Sequence, residues 1–276
     1  MTVREAIAYG EGVLTSARCE SPRRDAELLL EHVGSSSRTA LYAEPDRQLS
    51  GEEESRLRGC LARRARREPA AYIIGEWGFR GLTLTVNPYV LVPRPETEIV
   101  VERALAHLAG RARPRVLDVG TGSGAIALAI AAEHESAHIV ATDISAAALA
   151  VAAGNRARLG LDSRVELALG HLDARVPGPF DLIVSNPPYV TPEELERLDP
   201  EIRLYEPREA VVGIGAHGAI ARRAVELLVP GGVLVLECGE AQHASIAREL
   251  DDIGLVDIAT RHDLSDRPRV VEARHA

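Results

Sequence analysis

The chain has 276 residues, 46% of them apolar and 3% aromatic, enough for a substantial core and for two domains. All 32 lysine-plus-arginine positions are arginine, which excludes lysine-based Schiff-base or nucleophile chemistry, and the formal net charge of −9 speaks against a broad phosphate-binding surface. Cys19, Cys60 and Cys238 form neither a CxxC nor a disulfide framework, no metal site is read, and the lack of a leader pattern or an 18-residue apolar span predicts a cytoplasmic protein with no membrane partner.

Residues 1 to about 73 read as helical, with no strand signal. Ser21-Pro22 suits a helix start, serine as cap and proline in the first turn, and Leu28, Leu29, Leu30 and Val33 give the next segment an apolar face. Ser50-Gly51-Glu52-Glu53 opens a further helix with the capping-box pattern. Its six arginines, Arg56, Arg58, Arg63, Arg64, Arg66 and Arg67, suit equally a solvated face beside acids 52–54 and a docking surface for a charged partner. No aromatics interleave with them, which disfavours stacking on a nucleic-acid single strand. Trp77 to Val86 alternates from Leu82 onward and carries Gly78 and Gly81, so it reads as a β-hairpin. Pro93-Arg94-Pro95 is a stiff extended piece, either a linker or one wall of a ligand site, and a helix follows from about Glu98 to Leu108.

Pro114 to Leu117 reads as a short strand, Asp118-Val119-Gly120-Thr121-Gly122-Ser123-Gly124 as a glycine turn, and Ala125 to Ala132 as a helix. Strand, turn and helix make the first unit of a doubly wound α/β domain, and glycines let backbone approach a ligand closely. His138 to Asp143 reads as a second strand whose acid lies 19 residues after Gly124, a spacing suited to ribose hydroxyls. The loop is G-x-G-x-G where a nicotinamide fingerprint is G-x-G-x-x-G, and it resembles the S-adenosylmethionine loop of class I methyltransferases. Val165 to Leu169 is the third strand, and Phe180 to Ser185 is the fourth, emptying into Asn186-Pro187-Pro188-Tyr189. Two prolines fix the backbone and leave carbonyls free, while Asn186 adds an amide and Tyr189 an aromatic face. Such a loop can accept hydrogen bonds from an –NH2 group, although a plain proline turn would use the same residues. Gly232 to Glu237 is the fifth strand, Leu255 to Thr260 and Arg269 to Arg274 close the sheet as an antiparallel pair, and alanine-rich helices after Ser145 and at 218–228 cover it.

The chain resembles HemK-type methyltransferases, which modify the glutamine of the Gly-Gly-Gln motif in bacterial peptide-chain release factors. The resemblance rests on Pro22 to Leu29, Val92 to Glu98, the glycine loop, Ser185 to Tyr189, Tyr205-Glu206-Pro207, and Asp263-Leu264 with Arg269-Val270-Val271. It implies a Rossmann-like class I methyltransferase sheet with an antiparallel last strand, preceded by a small helical domain. The expected division is a substrate-recognition domain over 1–73, a β-hairpin linker over 74–95 and an S-adenosylmethionine-dependent methyltransferase domain over 96–276. Gly120, Thr121, Gly122, Ser123 and Gly124 would hold the methionine and ribose portions of the cofactor, and Asp143 the ribose hydroxyls. His171 stands where an aromatic flanks adenine, or is an ordinary loop histidine. Asn186 also borders the cofactor, and Asn186, Pro187, Pro188 and Tyr189 grip the substrate amide. Among these, Asn186, Pro187 and Tyr189 carry catalysis: the Asn186 oxygen and Pro187 carbonyl accept the amide protons while Tyr189 packs on the amide plane. Arg94, Thr97 and Glu98 lie near the cofactor's charged end or are structural, and Glu206-Pro207 orders a loop over the substrate or is a turn. A release factor is the expected partner, with no stable nucleic-acid binding and a monomeric state. Adenine-N6 or ribosomal-protein glutamine methylation, and a non-catalytic scaffold that keeps the fold, are the competing readings.

Overall fold

The first helix, α1 (Val3–Ser16), begins where the sequence can satisfy free N–H groups: the Thr2 hydroxyl accepts from Glu5 N–H, and the Glu5 carboxylate accepts from Thr2 N–H at 2.8 Å. The computed structural model describes residues 1–34, 37–170 and 176–276, which form two units. The first comprises Met1–Glu76 together with Leu198–Tyr205. It is helical as the sequence predicts: α1, α2 (Pro22–Gly34), α3 (Arg38–Ala43), α4 (Gly51–Ala65) and α5 (Ala70–Ile74). The capping box read at Ser50 and Glu53 is present at the start of α4. Leu14, Leu29, Leu30, Leu57 and Leu61 are fully buried between these helices, each worth about 1.5–3 kcal/mol of transfer free energy. Gly10 permits the close approach of α1 and α2, since a Cβ there would stand 2.8 Å from the Ala26 Cβ.

Three of the six arginines read as a solvated or docking face are committed inside this unit. Arg64 is buried at 5% exposure; its Nε donates to Asp25 at 2.7 Å and its Nη1 to Glu201 at 2.7 Å. Arg67 donates twice to Glu201, at 2.7 and 2.6 Å, and Arg63 pairs with Glu68. Burial raises the Glu201 carboxyl, but the bonds from Arg67 and Arg64 outweigh it and hold the group below its ordinary value. The acid partners are therefore Asp25, Glu68, Asp199 and Glu201 and not the acids 52–54.

The second unit, Trp77–Arg197 with Glu206–Ala276, carries the sheet. Its elements are the hairpin β1 (Glu76–Phe79) and β2 (Leu82–Thr85), then α6 (Thr97–Leu108), β3 (Arg115–Val119), α7 (Ala125–Glu133), β4 (His138–Asp143), α8 (Ala146–Arg158), β5 (Val165–Leu169) and β6 (Phe180–Ser185). After β6 come the short helices α9 (Pro192–Leu195), α10 (Pro200–Tyr205, which belongs to the first unit) and α11 (Arg208–Val211), then α12 (Ala216–Leu227), β7 (Leu228–Glu237), α13 (His243–Ile253), β8 (Val256–His262) and β9 (Pro268–Arg274). The seven-stranded sheet runs β5-β4-β3-β6-β7-β9-β8, parallel through β7, with β9 antiparallel to both neighbours. This is the doubly wound sheet with an antiparallel closing pair that the sequence predicts. Period-two alternation assigns its faces. Val116, Leu182, Val184, Val233 and Val235 pack with α6 and α7, whereas Leu117, Ile183, Leu234 and Leu236 pack with α12 and α13, joined by Phe180, which the register shift between Phe180 and Leu182 takes out of the alternation. Strand β7 starts at Leu228, ahead of the predicted Gly232, because Phe180 pairs with Leu228 across a register shift that absorbs the Pro230-Gly231-Gly232 turn. Among the described residues no helix is long and apolar enough to cross a membrane.

Glu272 on β9, 3% exposed, ties α6 to β8. It accepts from Arg103 at 3.0 and 3.2 Å and from Arg261 at 2.8 Å, and meets His107 Nε2 at 3.1 Å. Burial alone would raise its carboxyl, yet the bonds from His107, Arg103 and Arg261 hold it well below the carboxylate range. Glu272→Ala strands Arg103 and Arg261. Because Arg261 is 43% exposed, the expected loss is moderate, about 2–3 kcal/mol, seen as a fall of roughly 5–10 °C in thermal midpoint at pH 7. A lowered folded pKa contributes stability above the unfolded carboxylate value and loses it as pH falls, so the gap between variant and wild type should narrow below about pH 4.

Candidate active site

In the order β5-β4-β3-β6-β7 the chain changes direction of travel between β3 and β6. Open parallel sheets bind ligands at such a switch point, beyond the carboxyl ends of the strands. The glycine loop leaves β3 there, Asp143 ends β4, and Asn186-Pro187-Pro188-Tyr189 leaves β6. One pocket is lined by Gly120 to Ser123, Asp143 to Ser145, Ser185 to Pro188, Tyr89 to Leu91, Arg94, Thr97, Pro207, Glu209 and Ala210, among others.

The glycine loop is braced from below. Gly120 N–H and Thr121 N–H both donate to the Thr142 carbonyl at 2.9 Å, and Gly122 N–H donates to Asp143 Oδ2 at 2.9 Å. Asp143 Oδ1 accepts from Ser145 N–H at 2.9 Å, so one carboxylate fixes both the loop and the turn into α8. Gly120 and Gly122 have φ of +74° and +56°, and a Cβ built on either meets no protein atom within 4 Å. Their glycines serve the left-handed backbone and leave the pocket side open. Gly124 is left-handed too, at φ +86°, and meets a steric demand as well. A Cβ there would stand 2.8 Å from Leu128 Cδ1, so its absence makes room for the Leu128 side chain in the first turns of α7. Asp118, fully buried, accepts from Thr121 Oγ1 at 2.6 Å and from Ala127 N–H at 3.2 Å through Oδ2, while Oδ1 has no protein partner. Burial pushes this carboxyl up to about 7.

Across the pocket, Asn186 Nδ2 donates to Thr97 Oγ1 at 3.2 Å, and Thr97 Oγ1 donates to Glu237 Oε2 at 2.7 Å. Of the four-residue loop, Asn186, Pro187 and Pro188 line the pocket. The half-buried Tyr189 ring lies 6.3 Å from the His217 ring, tilted by 30°, and its carbonyl accepts from Gln242 Nε2 at 2.8 Å. Burial raises the Tyr189 phenol, which stays protonated through the neutral range. Gly213 lets the following segment cross the loop, since a Cβ there would stand 2.5 Å from the Pro188 carbonyl oxygen. Arg94 bonds to Glu206 at 2.5 Å, pinning the entrance of α11 to the Pro93–Pro95 segment. His171 lies outside the described residues.

Two contributors carry no local sequence signal. Asn155, at 0% exposure, accepts from Thr85 N–H at 2.7 Å and donates to the carbonyls of Thr85 and Ser123 at 3.0 and 2.9 Å, joining β2, α8 and the glycine loop. Glu237 is the other; only its place at the end of a predicted strand hinted at it.

Comparison with known proteins agrees with this geometry. Residues 5–75 match the PrmC N-terminal domain and residues 98–198 the methyltransferase small domain. The release factor glutamine methyltransferase of Cereibacter sphaeroides is 42% identical over 99% of both chains, and that of Deinococcus radiodurans 40% identical over 100% of this chain and 99% of the relative. The chain belongs to the release factor glutamine methyltransferase family. Membership was legible in the proline-rich segment before α6, the glycine loop and the loop after β6. A methyltransferase from Pyrococcus furiosus, 20% identical, superposes with a TM-score of 0.53 over 71% of this chain and 90% of its own, which supports the fold.

Proposed function

We propose that this chain transfers a methyl group from S-adenosylmethionine to the side-chain amide nitrogen of the glutamine in the Gly-Gly-Gln motif of peptide-chain release factors. The observation that carries the reading is Asn186: its amide N–H is committed to Thr97 while its loop faces the same pocket as the glycine cradle. The residues present fit the cofactor. Gly120 and Gly122 leave space that a side chain would fill, and Asp143 retains acceptor capacity for ribose hydroxyls beside its two backbone bonds. S-adenosylmethionine supplies an electrophilic methyl group on a sulfonium sulfur.

An amide nitrogen is a poor nucleophile because its lone pair is delocalised into the carbonyl. Asn186 Oδ1 and the Pro187 carbonyl are assigned to accept its two protons, which draws electron density toward nitrogen and turns its lone pair to the cradle. Pro188 and Tyr189 are assigned to the walls around the amide. Orientation and the exclusion of water then do most of the work, with no nucleophilic side chain required. Gly120 to Gly124, Asp143 and His171 are assigned to the cofactor, which Asn186 also borders, and the helices of residues 1–73 to recognition of the release factor. Every assigned group lies in one chain, so a monomer suffices; a release-factor substrate places the reaction in the cytoplasm, and the charge of −9 favours a protein substrate over nucleic acid.

Methyl transfer from labelled S-adenosylmethionine to a bacterial release factor, compared with its Gly-Gly-Ala form, tests this. Label on the glutamine of the first protein and none on the second is expected. Labelling of both, or of neither while cofactor binding is intact, would overturn the assignment.

A further inference from the structure

An asparagine amide is nearly symmetric in shape but donates on one side and accepts on the other. Something must decide which side meets the substrate. Here Asn186 Nδ2 donates to Thr97 Oγ1, and Thr97 Oγ1 donates to Glu237 Oε2. A hydroxyl has one proton. With that proton held by a carboxylate, Thr97 can only accept from Asn186, so the amide nitrogen is turned inward and Oδ1 is left for the pocket. Thr97 and Glu237 are 4% and 2% exposed, which keeps water from replacing the bond between them.

We infer that Thr97 and Glu237 are positioning residues that set which face of the Asn186 amide is offered to substrate, making the site selective for an N–H donor. This rests on the function proposed above. If Glu237 takes up a proton, the chain of bonds can run backwards: Glu237 donates to Thr97, Thr97 donates to the Asn186 oxygen, and an –NH2 group faces the substrate –NH2. Donor then meets donor and transfer stops.

The surroundings allow that reversal near neutrality. Burial pushes the Glu237 carboxyl up to about 7; the Thr97 bond opposes this, Glu96 adds to it, and Arg269 and Arg94 pull it down. Tyr189 and Cys238 are both raised, Cys238 to about 12, and so stay protonated across this range. His217, whose Nε2 meets the Glu237 backbone carbonyl at 2.8 Å, is lowered by burial.

The test is direct because the chain holds three asparagines, Asn87, Asn155 and Asn186. Selective 15N-asparagine labelling resolves their side-chain amides without any substrate. In the wild type the Asn186 amide pair should shift with an apparent pKa near 7. Below that point kcat should fall roughly tenfold per pH unit. Thr97→Val should abolish the Asn186 titration and lower kcat at pH 8 by roughly 10–100-fold, with cofactor affinity changed less than about twofold. Thr97→Ser should restore both. Glu237→Gln, which cannot ionise, should remove the titration with Thr97 untouched, and serves if Thr97→Val does not fold. An Asn186 amide that is pH-independent in the wild type, or still titrates near 7 in Glu237→Gln, overturns the inference. Absence of label at the release-factor glutamine would instead overturn the function, and leaves the amide titration as the judge of this relay.

Discussion

Asn186→Ala should lower kcat for release-factor methylation by roughly 10²–10³-fold while the dissociation constant for S-adenosylmethionine changes less than about threefold. The split follows from where the residue sits. The cofactor is assigned to the loop after β3 and the acid ending β4, whereas Asn186 leaves β6. Its acceptor matters most when the substrate nitrogen gains positive charge and its N–H groups become stronger donors, which occurs on the way to the transition state. Asn186→Asp separates orientation from acceptor strength. It keeps an acceptor oxygen but has no N–H for Thr97, whose proton already goes to Glu237. It also sets a second carboxylate near a buried one, so its side chain should be displaced or protonated. A comparable loss of kcat is expected, for this different reason. Steady-state kinetics with a release factor, alongside calorimetry with the cofactor, reads both quantities. Wild-type turnover in both variants would falsify the assigned role.

How much of this was visible in the sequence depended on distance along the chain. Strands β4, β5 and β6 were read residue for residue because apolar runs bounded by turn residues are local signals. The glycine loop, Asp143 and the Asn-Pro-Pro-Tyr loop were legible for the same reason. The short helices α9, α10 and α11 were not, since none is longer than six residues and each lacks a repeating apolar face. Arg64 and Arg67 were misread because their decisive partner, Glu201, is more than 130 residues away in sequence. Thr97 was read as lying near the cofactor's charged end or as structural and was not tied to Asn186, as its bonds to Asn186 and Glu237 span 89 and 140 residues. Asn155 escaped notice for the same reason, 70 residues from Thr85. Asn186 and Glu237 come together because β6 lies beside β7, and the other pairs are likewise made by tertiary packing that no local pattern encodes.

Asp143→Ala should have the opposite kinetic signature, raising the cofactor dissociation constant by roughly 30–150-fold, or about 2–3 kcal/mol. Two losses combine. Charge-assisted bonds to ribose hydroxyls disappear, and Gly122 N–H and Ser145 N–H lose the carboxylate that holds the loop to the start of α8. Asp143→Asn distinguishes them by preserving shape. Its single oxygen can serve one of the two backbone N–H groups, leaving its own –NH2 opposite the other, donor against donor. The loop should therefore loosen almost as much as in the alanine variant. Because Asn186, Thr97 and Glu237 are untouched, kcat at saturating cofactor should stay within about fivefold of wild type for both. Calorimetry with S-adenosylhomocysteine removes turnover from the measurement. If Asp143→Asn bound the cofactor like the wild type, the loop anchor would be dispensable and ribose recognition would have to come from elsewhere on β4.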